Sequence, residues 1–261
     1  MKSLWFVFKE SELLLEQLGN DLFTIPLSDN PPTFINEGQQ VHEMEPTEEG
    51  IPVKTYLVDS STQLPLKHVY CELRQSYYKL PNEYYLLAGK CREINYWDAH
   101  SQYCGVCGAP MKLHTNISKR CTHCANEVWP QLATAIIVLI YKADEVLLVH
   151  AKNFKSNFYG LIAGFVEMGE SLEEAVVREV REETALEIEE LRYFDSQPWP
   201  YPIGLMIGFT ARYKAGTLHL QEEELSAGGW FHRDNLPQIP EKLSLARKLI
   251  DHWLEQNPDT L

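Results

Sequence analysis

The segment GFVEMGESLEEAVVREVREETAL, from Gly164 to Leu186, carries the strongest structural signal in this sequence. Ser171 and Glu174 have the spacing of a capping box, in which each side chain accepts the backbone N–H of the other residue. This spacing predicts a helix that begins at 171 and ends near 185. At about 100° per residue, three valines fall on one face of this helix: Val176, Val177 and Val180. This face is predicted to be the buried one.

Three glutamates of this helix, Glu179, Glu182 and Glu183, fall together on an adjoining face. Carboxylates at these spacings repel one another, and Glu183 lies near the edge of the apolar face, where burial disfavours its ionisation. An acidic helix face is usually a solvated surface, but here only arginines interrupt the acids, and Arg178 is placed to reach Glu174 and Glu182. A hard divalent cation such as Mg²⁺ or Mn²⁺ would relieve the repulsion.

The segments around the helix predict a mixed α and β structure. The runs TAIIVLIY (134–141) and VLLVH (146–150), joined by the turn KADE, predict a hairpin of buried strands. A strand is also expected before the bend at Gly164, and further strands are expected at about 191–195 and 205–213. A last amphipathic helix is predicted at about 242–256.

The stretch SQPWPYP (196–202) has proline at every second position from 198 to 202. Proline fixes φ and lacks the N–H donor, so the stretch is excluded from helix interiors and central strands. It predicts a stiff, extended connection that holds Trp199 and Tyr201 against a ligand. A loop that caps one end of a hydrophobic core is the alternative.

Four cysteines form two C-x2-C pairs separated by 13 residues: Cys104 with Cys107, and Cys121 with Cys124. Four thiolates can enclose one zinc ion and leave no position for water, so a structural zinc, one per chain, is predicted. Two disulfides are the alternative, which a reducing compartment disfavours. A zinc ribbon serves nucleic-acid binding, dimerisation or scaffolding, so its purpose stays open.

The composition is that of a globular protein, with 261 residues, 44% hydrophobic and 23% charged. A formal net charge of −14 disfavours general affinity for nucleic-acid backbones. The opening segment has no signal-peptide core and no apolar run approaches a membrane span, so a cytoplasmic location without membrane contact is expected. Residues 1–97 suggest a small β-rich domain, with a strand and turn at 84–91 and with Cys71 and Cys91 as buried hydrophobes.

The stretch Gly164–Leu186 resembles the Nudix box, G-x5-E-x7-R-E-U-x-E-E-x-G-U, where U is aliphatic. Every defining position matches except Ala185, where the family has glycine, so the helix is expected to end in a different arrangement. The resemblance implies an α+β fold, an α/β/α sandwich around a mixed sheet. It also implies hydrolysis of nucleoside diphosphates that are linked to another moiety.

The SQPWPYP stretch and the residues after it resemble the SQPWPFPxS array of the NADH pyrophosphatase branch, with Tyr201 for Phe and Gly204 for the last Ser. Gly204 therefore lacks one polar contact that the branch makes. The order of ribbon, box and array is also that of the branch. The implied domains are an N-terminal β-rich domain (1–97), a zinc ribbon (98–128) and a Nudix domain (129–261), and the first of these matches the branch only by position.

The resemblance also implies the residues of the site. The catalytic set is Arg178, Glu179, Glu182, Glu183 and Glu224. The ligands of Mg²⁺ or Mn²⁺ are Glu179, Glu183, Glu224 and the carbonyl of Ala163. In the acidic run QEEELS, Glu222 and Glu223 stay open as alternatives to Glu224, and the general base is one of the glutamates.

A substrate-binding set follows from the array and from family positions. Its members are Trp129, Phe165, Gln197, Pro198, Trp199, Pro200, Tyr201, Pro202, Ile203, Gly204 and Ala246. Aromatic faces stack on bases, and the amide of Gln197 matches the donor and acceptor edge of adenine.

The first functional hypothesis is therefore metal-dependent hydrolysis of NAD(H) to nicotinamide mononucleotide and AMP. The same bond is cut when NAD caps are removed from RNA 5′ ends, and the branch leads us to expect a homodimer. Two alternatives stay open: a Nudix hydrolase of ADP-ribose or another nucleoside diphosphate derivative, and a non-catalytic zinc-ribbon module that binds nucleic acid. The net charge of −14 disfavours the last of these.

Overall fold

The computed structural model describes residues 1–36, 39–154 and 156–256, which form two compact units. The first unit comprises Met1–Gln131 and Pro200–Ile203, and the second comprises Leu132–Trp199 and Gly204–Leu261. Within the described ranges, no helix is both long and apolar enough to cross a bilayer.

A mixed seven-stranded sheet forms the centre of the first unit. Its strands are β1 (Ser3–Lys9), β2 (Glu12–Gly19), β3 (Leu22–Thr24), β4 (Leu27–Ser28), β5 (His42–Met44), β6 (Val53–Leu57) and β7 (His68–Glu72). The order is β3-β2-β1-β6-β5, with β4 paired to β1 and β7 paired to β2. The pair β1 and β6 is parallel, whereas the other pairs are antiparallel.

Two helices, α1 (Leu73–Ser76) and α2 (Asn82–His100), follow β7. The prediction of a strand at 84–91 is wrong, because these residues lie inside α2. The side of α2 that is buried includes Gly89 and Asn95, so the sequence shows no continuous apolar stripe of helical period. Cys71 and Cys91 are buried in the hydrophobic cluster of this unit, as predicted.

The cysteine-paired region forms a three-stranded antiparallel sheet of β8 (Met111–Thr115), β9 (Ser118–Cys121) and β10 (Glu127–Val128). Lys119 of β9 is only 2% exposed. Its ammonium lies 2.6 Å from the carboxylate of Asp98 and donates to the backbone carbonyls of Asp98 at 2.7 Å and Ser101 at 3.3 Å. These bonds join the ribbon to the last turn of α2.

The second unit has a mixed six-stranded sheet with one helix on each face. Its elements are β11 (Ala133–Lys142), β12 (Glu145–Ala151), β13 (Ile162–Phe165), α3 (Leu172–Thr184), β14 (Glu187–Pro198), β15 (Gly204–Ala215), β16 (Leu225–His232) and α4 (Leu245–Glu255). The order is β14-β15-β11-β12-β16, with β13 paired to β11, and β11 is parallel to β15.

Alternate residues of β11 face the two helices. Ile136 and Val138 belong to the cluster that includes Val176 of α3, whereas Leu139 belongs to the cluster that includes Trp253 of α4. The α/β/α sandwich is thereby confirmed. The predicted hairpin and both helices are present, but Val177 is 38% exposed and does not belong to the buried face of α3.

The proline-rich stretch is not an extended rod, so that prediction is wrong. Residues 196–198 form the end of edge strand β14 and pair with β15, where Pro198 faces Leu205. The chain then turns back, and the N–H of Trp199 donates to the carbonyl of Gly204 at 2.7 Å. An edge strand tolerates proline because its outer N–H groups need no partner strand.

Candidate active site

Helix α3 begins and ends with defined caps. Ser171 accepts the N–H of Glu174 at 3.2 Å, and the carboxylate of Glu174 accepts the N–H of Ser171 at 2.7 Å, which confirms the capping box. At the other end Ala185 has φ 57° and ψ 20°, the left-handed conformation in which helices often end at glycine. The exit therefore keeps a glycine-type geometry and is not a different arrangement.

Arg178 lies at the centre of the acidic network. Its guanidinium forms a two-bond fork with Glu170, at 3.0 Å from Nε and 2.7 Å from Nη2. Nη1 donates to Glu179 at 2.8 Å and to Glu182 at 3.2 Å. The predicted contact with Glu182 is present, but Glu174 is occupied by the cap and Glu170 takes its place.

Glu170 is a defining residue of the box, but no role in the site was predicted for it from the sequence. The bonds from Arg178 hold the pKa of Glu170 below its usual range and raise the pKa of Arg178. Arg178 also donates to the carbonyl of Phe165 at 2.9 Å, so it ties α3 to the end of β13. The signal that could have identified this pair is the fixed spacing of the box itself, in which the two residues are both defining positions.

Glu179 lies directly over the backbone of Gly164. A Cβ atom at Gly164 would stand 2.0 Å from the carboxyl carbon of Glu179, which no side chain can accommodate without moving that carboxylate. Glycine is needed here for close approach. Burial raises the pKa of Glu179, and the nearby charges of Glu182 and Glu224 add to the effect.

Glu183 is the buried acid of the site, with 5% of its surface exposed. Burial, followed by the charges of Glu179, Glu224 and Glu182, raises its pKa to about 8. The expectation that its ionisation is disfavoured is confirmed. A divalent cation bound to these oxygens would reverse the effect because it stabilises the ionised carboxylates.

Glu224 lies one residue before β16, and its charge acts on Glu179 and Glu183. The charges that raise those two pKa values do not include Glu222 or Glu223. The donor set suits Mg²⁺ or Mn²⁺, since it consists of carboxylate oxygens. Among the described residues, however, only the four cysteines bring three or more ligand atoms within 4.8 Å of one another, so the carboxylates form a looser group.

Ala163 lies on β13, paired with Ile137 of β11, and its side chain is exposed. It directly precedes Gly164, so its carbonyl belongs to the same short segment that Glu179 covers. The sheet thus fixes this backbone next to the acidic face of α3.

The four cysteines of the ribbon converge. Sγ of Cys104 lies 3.6 Å from Cys124, and Sγ of Cys107 lies 3.4 Å from Cys121. Sulfurs at about 2.3 Å from one zinc ion would be about 3.8 Å apart, so the donor set fits zinc. All six cysteines are free, and the N–H groups of Cys124 and His123 lower the pKa of Cys121 to about 6, which favours the thiolate.

The residues of the proline-rich array differ in environment. Gln197 is buried, and its Nε2 donates to the carbonyl of Leu243 at 2.8 Å, so this donor is already used. Pro198 and Pro202 are exposed, whereas Pro200 is buried. The Tyr201 ring packs against the core of the first unit, and its hydroxyl lies 2.9 Å from that of Tyr85.

The remaining predicted substrate-binding residues lie in both units. Trp129, in the first unit, is 49% exposed, and Phe165, in the second, is 65% exposed, so both rings are accessible. Ala246 is partly buried on α4. Gly204 replaces the serine of the branch. A side chain at this position would be crowded, because a Cβ atom there would be 3.0 Å from the carbonyl oxygen of Trp199.

Comparison with known proteins agrees with this geometry. Residues 130–253 match the model of the NUDIX domain, and residues 2–97 match that of an NADH pyrophosphatase-like rudimentary NUDIX domain. A protein named NAD-capped RNA hydrolase NudC, from Pseudomonas aeruginosa (strain LESB58), is 39% identical over 208 residues, which are 79% of this chain and 74% of that protein. The NudC of Stutzerimonas stutzeri is 38% identical over 209 residues, 79% and 75% of the two chains.

Among solved structures, a NUDIX hydrolase from Nitrosomonas europaea superimposes with a TM-score of 0.51. The superposition covers 59% of this chain and 90% of that protein. Because the two sequences are 19% identical, it shows the fold alone. Fold, box and relatives agree, and the chain belongs to the Nudix hydrolase family, in its NADH pyrophosphatase branch.

Proposed function

We propose that the protein hydrolyses the diphosphate bond of NAD(H) to nicotinamide mononucleotide and AMP, and cuts the same bond in NAD caps at RNA 5′ ends. The observation that supports this most is the buried Glu183 with Glu179 and Glu224 beside it. Three acids that repel one another in the metal-free protein are suited to divalent cations that also bind a diphosphate. The similarity to proteins named NAD-capped RNA hydrolases supports the choice of substrate.

Each residue of the acidic face has a proposed role. Glu179, Glu183, Glu224 and the carbonyl of Ala163 would hold Mg²⁺ or Mn²⁺, which supplies charge neutralisation for the diphosphate and lowers the pKa of water. Arg178 orients the carboxylates through its bonds to Glu170, Glu179 and Glu182.

In the reaction, the oxygen of water bonds to one phosphorus, and the bridging oxygen leaves with the other phosphate. One glutamate of the set Glu179, Glu182, Glu183 and Glu224 accepts the proton that the attacking water loses. Arg178 keeps its charge throughout, because its bonds to three carboxylates raise its pKa.

For nucleotide binding we propose the array and its family partners: Trp129, Phe165, Gln197, Pro198, Trp199, Pro200, Tyr201, Pro202, Ile203, Gly204 and Ala246. The exposure of the Phe165 and Trp129 rings supports stacking on a base. Gln197 Nε2 and the Tyr201 hydroxyl each already bond a protein partner, Leu243 and Tyr85.

We also propose that one zinc ion binds per chain at the four cysteines and that the protein is a cytoplasmic homodimer. The functional segments would be 1–97, 98–128 and 129–261. The convergence of the cysteine sulfurs supports the zinc site.

The experiment compares hydrolysis of NADH, ADP-ribose and NAD-capped RNA with and without Mn²⁺. We expect metal-dependent cleavage of NADH and capped RNA, and a loss of at least 100-fold in kcat in Glu183→Gln. Glu173→Gln is the matched control, since Glu173 is an exposed acid on the same helix and should leave kcat unchanged. Preference for ADP-ribose, or binding of RNA without any cleavage, would contradict the proposal.

A further inference from the structure

The strands β12 and β16 pair with one irregularity near the end of β12. His150 of β12 pairs with Ala227 of β16. The next residue, Ala151, pairs with Leu225, so Ser226 is an extra residue on β16. A β-bulge of this kind changes the direction in which the flanking side chains point, and bulges are frequent beside active sites.

The side chain of His150 closes this bulge. Its Nδ1 lies 2.8 Å from Oγ of Ser226, which itself donates to the backbone carbonyl of His150 at 3.0 Å. The imidazole and the hydroxyl are therefore joined by a hydrogen bond, in which the tautomer of His150 decides which group is the donor. Nε2 lies 3.3 Å from the carbonyl of Ser156, and the rings of Phe154 and Tyr159 pack edge-on against the imidazole at 5.8 and 5.7 Å.

Glu224 lies two positions before Ser226, next to the bulge. The backbone carbonyl of Glu224 accepts the N–H of Lys152 at 2.8 Å. On its other side, the N–H of Glu224 donates to Gln221 at 3.2 Å, and the N–H of Gln221 donates to the carbonyl of Glu183 at 2.9 Å. Glu224 is therefore held between the end of α3 and the bulge.

We propose that His150 is a positioning residue for Glu224. By bonding Ser226, it keeps the bulge in the geometry that directs the Glu224 carboxylate toward Glu179 and Glu183. The inference rests on the proposed function, since it takes Glu224 as a ligand of the catalytic metal. In this role His150 acts on Glu224 through the backbone of the bulge.

Two substitutions at the same position test the bond. Asparagine at 150 places its amide near the position of Nδ1 and can still bond Ser226 as donor or acceptor, whereas glutamine places its amide near Nε2 and cannot. We expect the dissociation constant of Mn²⁺ for the zinc-loaded protein, measured by electron paramagnetic resonance without substrate, to rise at least fivefold in His150→Gln and Ser226→Ala. It should rise less than twofold in His150→Asn.

Two further variants set the scale. Glu224→Gln gives the loss expected when the ligand itself is removed. His232→Ala is the matched control, because His232 lies at the opposite end of β16, paired with Glu145, and should leave Mn²⁺ binding unchanged. For NADH hydrolysis we expect the Mn²⁺ concentration for half-maximal rate to rise in His150→Gln while KM for NADH stays within twofold.

The outcomes separate this inference from the proposed function. Unchanged Mn²⁺ affinity in His150→Gln and Ser226→Ala would overturn the role of His150, and so would equal losses in His150→Asn and His150→Gln. If the glutamine variant has a lowered thermal midpoint, Ser226→Ala decides, since it removes a single oxygen. A wild-type protein that binds Mn²⁺ but leaves NADH intact would contradict only the proposed function.

Discussion

Ala185 adopts a backbone conformation that glycine would adopt more easily. Ala185 ends α3 in the left-handed region, and its N–H donates to the carbonyl of Arg181 at 2.9 Å. A Cβ atom in that region costs about 1–2 kcal/mol. The departure from the family pattern is therefore a cost in stability and leaves the cap in place.

Ala185→Gly should raise the free energy of unfolding by about 0.5–1 kcal/mol, since the relief of strain exceeds the added entropy of the unfolded chain. Urea denaturation of the metal-free protein measures it. The same substitution at Ala175, in the interior of α3, is the control and should destabilise the protein. A midpoint for Ala185→Gly at or below that of the wild type would show that the position is not strained.

The acidic residues of the site were predictable from the sequence, because the spacing of the Nudix box determines which glutamates share a face of α3. The fork between Arg178 and Glu170 and the approach of Glu179 to Gly164 join α3 to the segment before it. Contacts of that kind depend on how the chain folds back and not on helical period. His150 had no signal in the sequence, since its partner Ser226 is 76 residues away.

Helix α3 makes the stability of the protein depend on pH. In the metal-free protein Glu183 has a pKa of about 8, against 4.5 for an unperturbed glutamate. Between these values the folded state keeps a proton that the unfolded chain has released, so stability falls as pH rises from about 4.5 to about 8 and then levels off.

Glu183→Gln should flatten this part of the curve, because an amide does not titrate. Urea unfolding of the metal-free protein from about pH 5 to pH 9 measures the slope. Glu173→Gln should keep the wild-type slope, since Glu173 is exposed. A slope in Glu183→Gln as steep as that of the wild type would place the titrating group elsewhere.

Elements were predictable where one period dominates the sequence. The capping box and the valines located α3, and uninterrupted apolar runs located β11 and β12. Helix α2 was missed because its buried side mixes glycine, cysteine and asparagine with aromatic residues. The proline-rich stretch was assigned one conformation, whereas its first three residues pair as an edge strand and the rest form a turn.

In the whole molecule, the four-cysteine ribbon and the N-terminal region belong to one unit. Lys119 lies on β9, two residues before Cys121, and its buried ammonium binds Asp98 at the end of α2. Removing zinc would take away the shared ion that holds the four sulfurs together and would loosen β9. The anchor of Lys119 on α2 would then be weakened as well.

We therefore expect zinc chelation to raise amide hydrogen exchange several-fold in the last turn of α2, residues 96–100. Mass spectrometry of peptides from this turn, with and without the chelator, measures the change. Peptides from α4 are the control and should exchange at an unchanged rate. Equal protection of the α2 turn in both states would mean that the buried ion pair holds the helix without the metal.

The first unit is not formed by one uninterrupted stretch of the sequence, because it includes Pro200–Ile203 as well as Met1–Gln131. Pro200 packs on Gly89 of α2, where an added Cβ atom would stand 3.1 Å from the proline ring. The hydroxyls of Tyr85 and Tyr201 lie 2.9 Å apart. A recombinant fragment that stops at 131 would leave the surface around Tyr85 and Gly89, which Pro200 and Tyr201 cover, open to water. Expressed alone, such a fragment should self-associate, so dissection of the protein requires residues 200–203 to be supplied or that surface to be made polar.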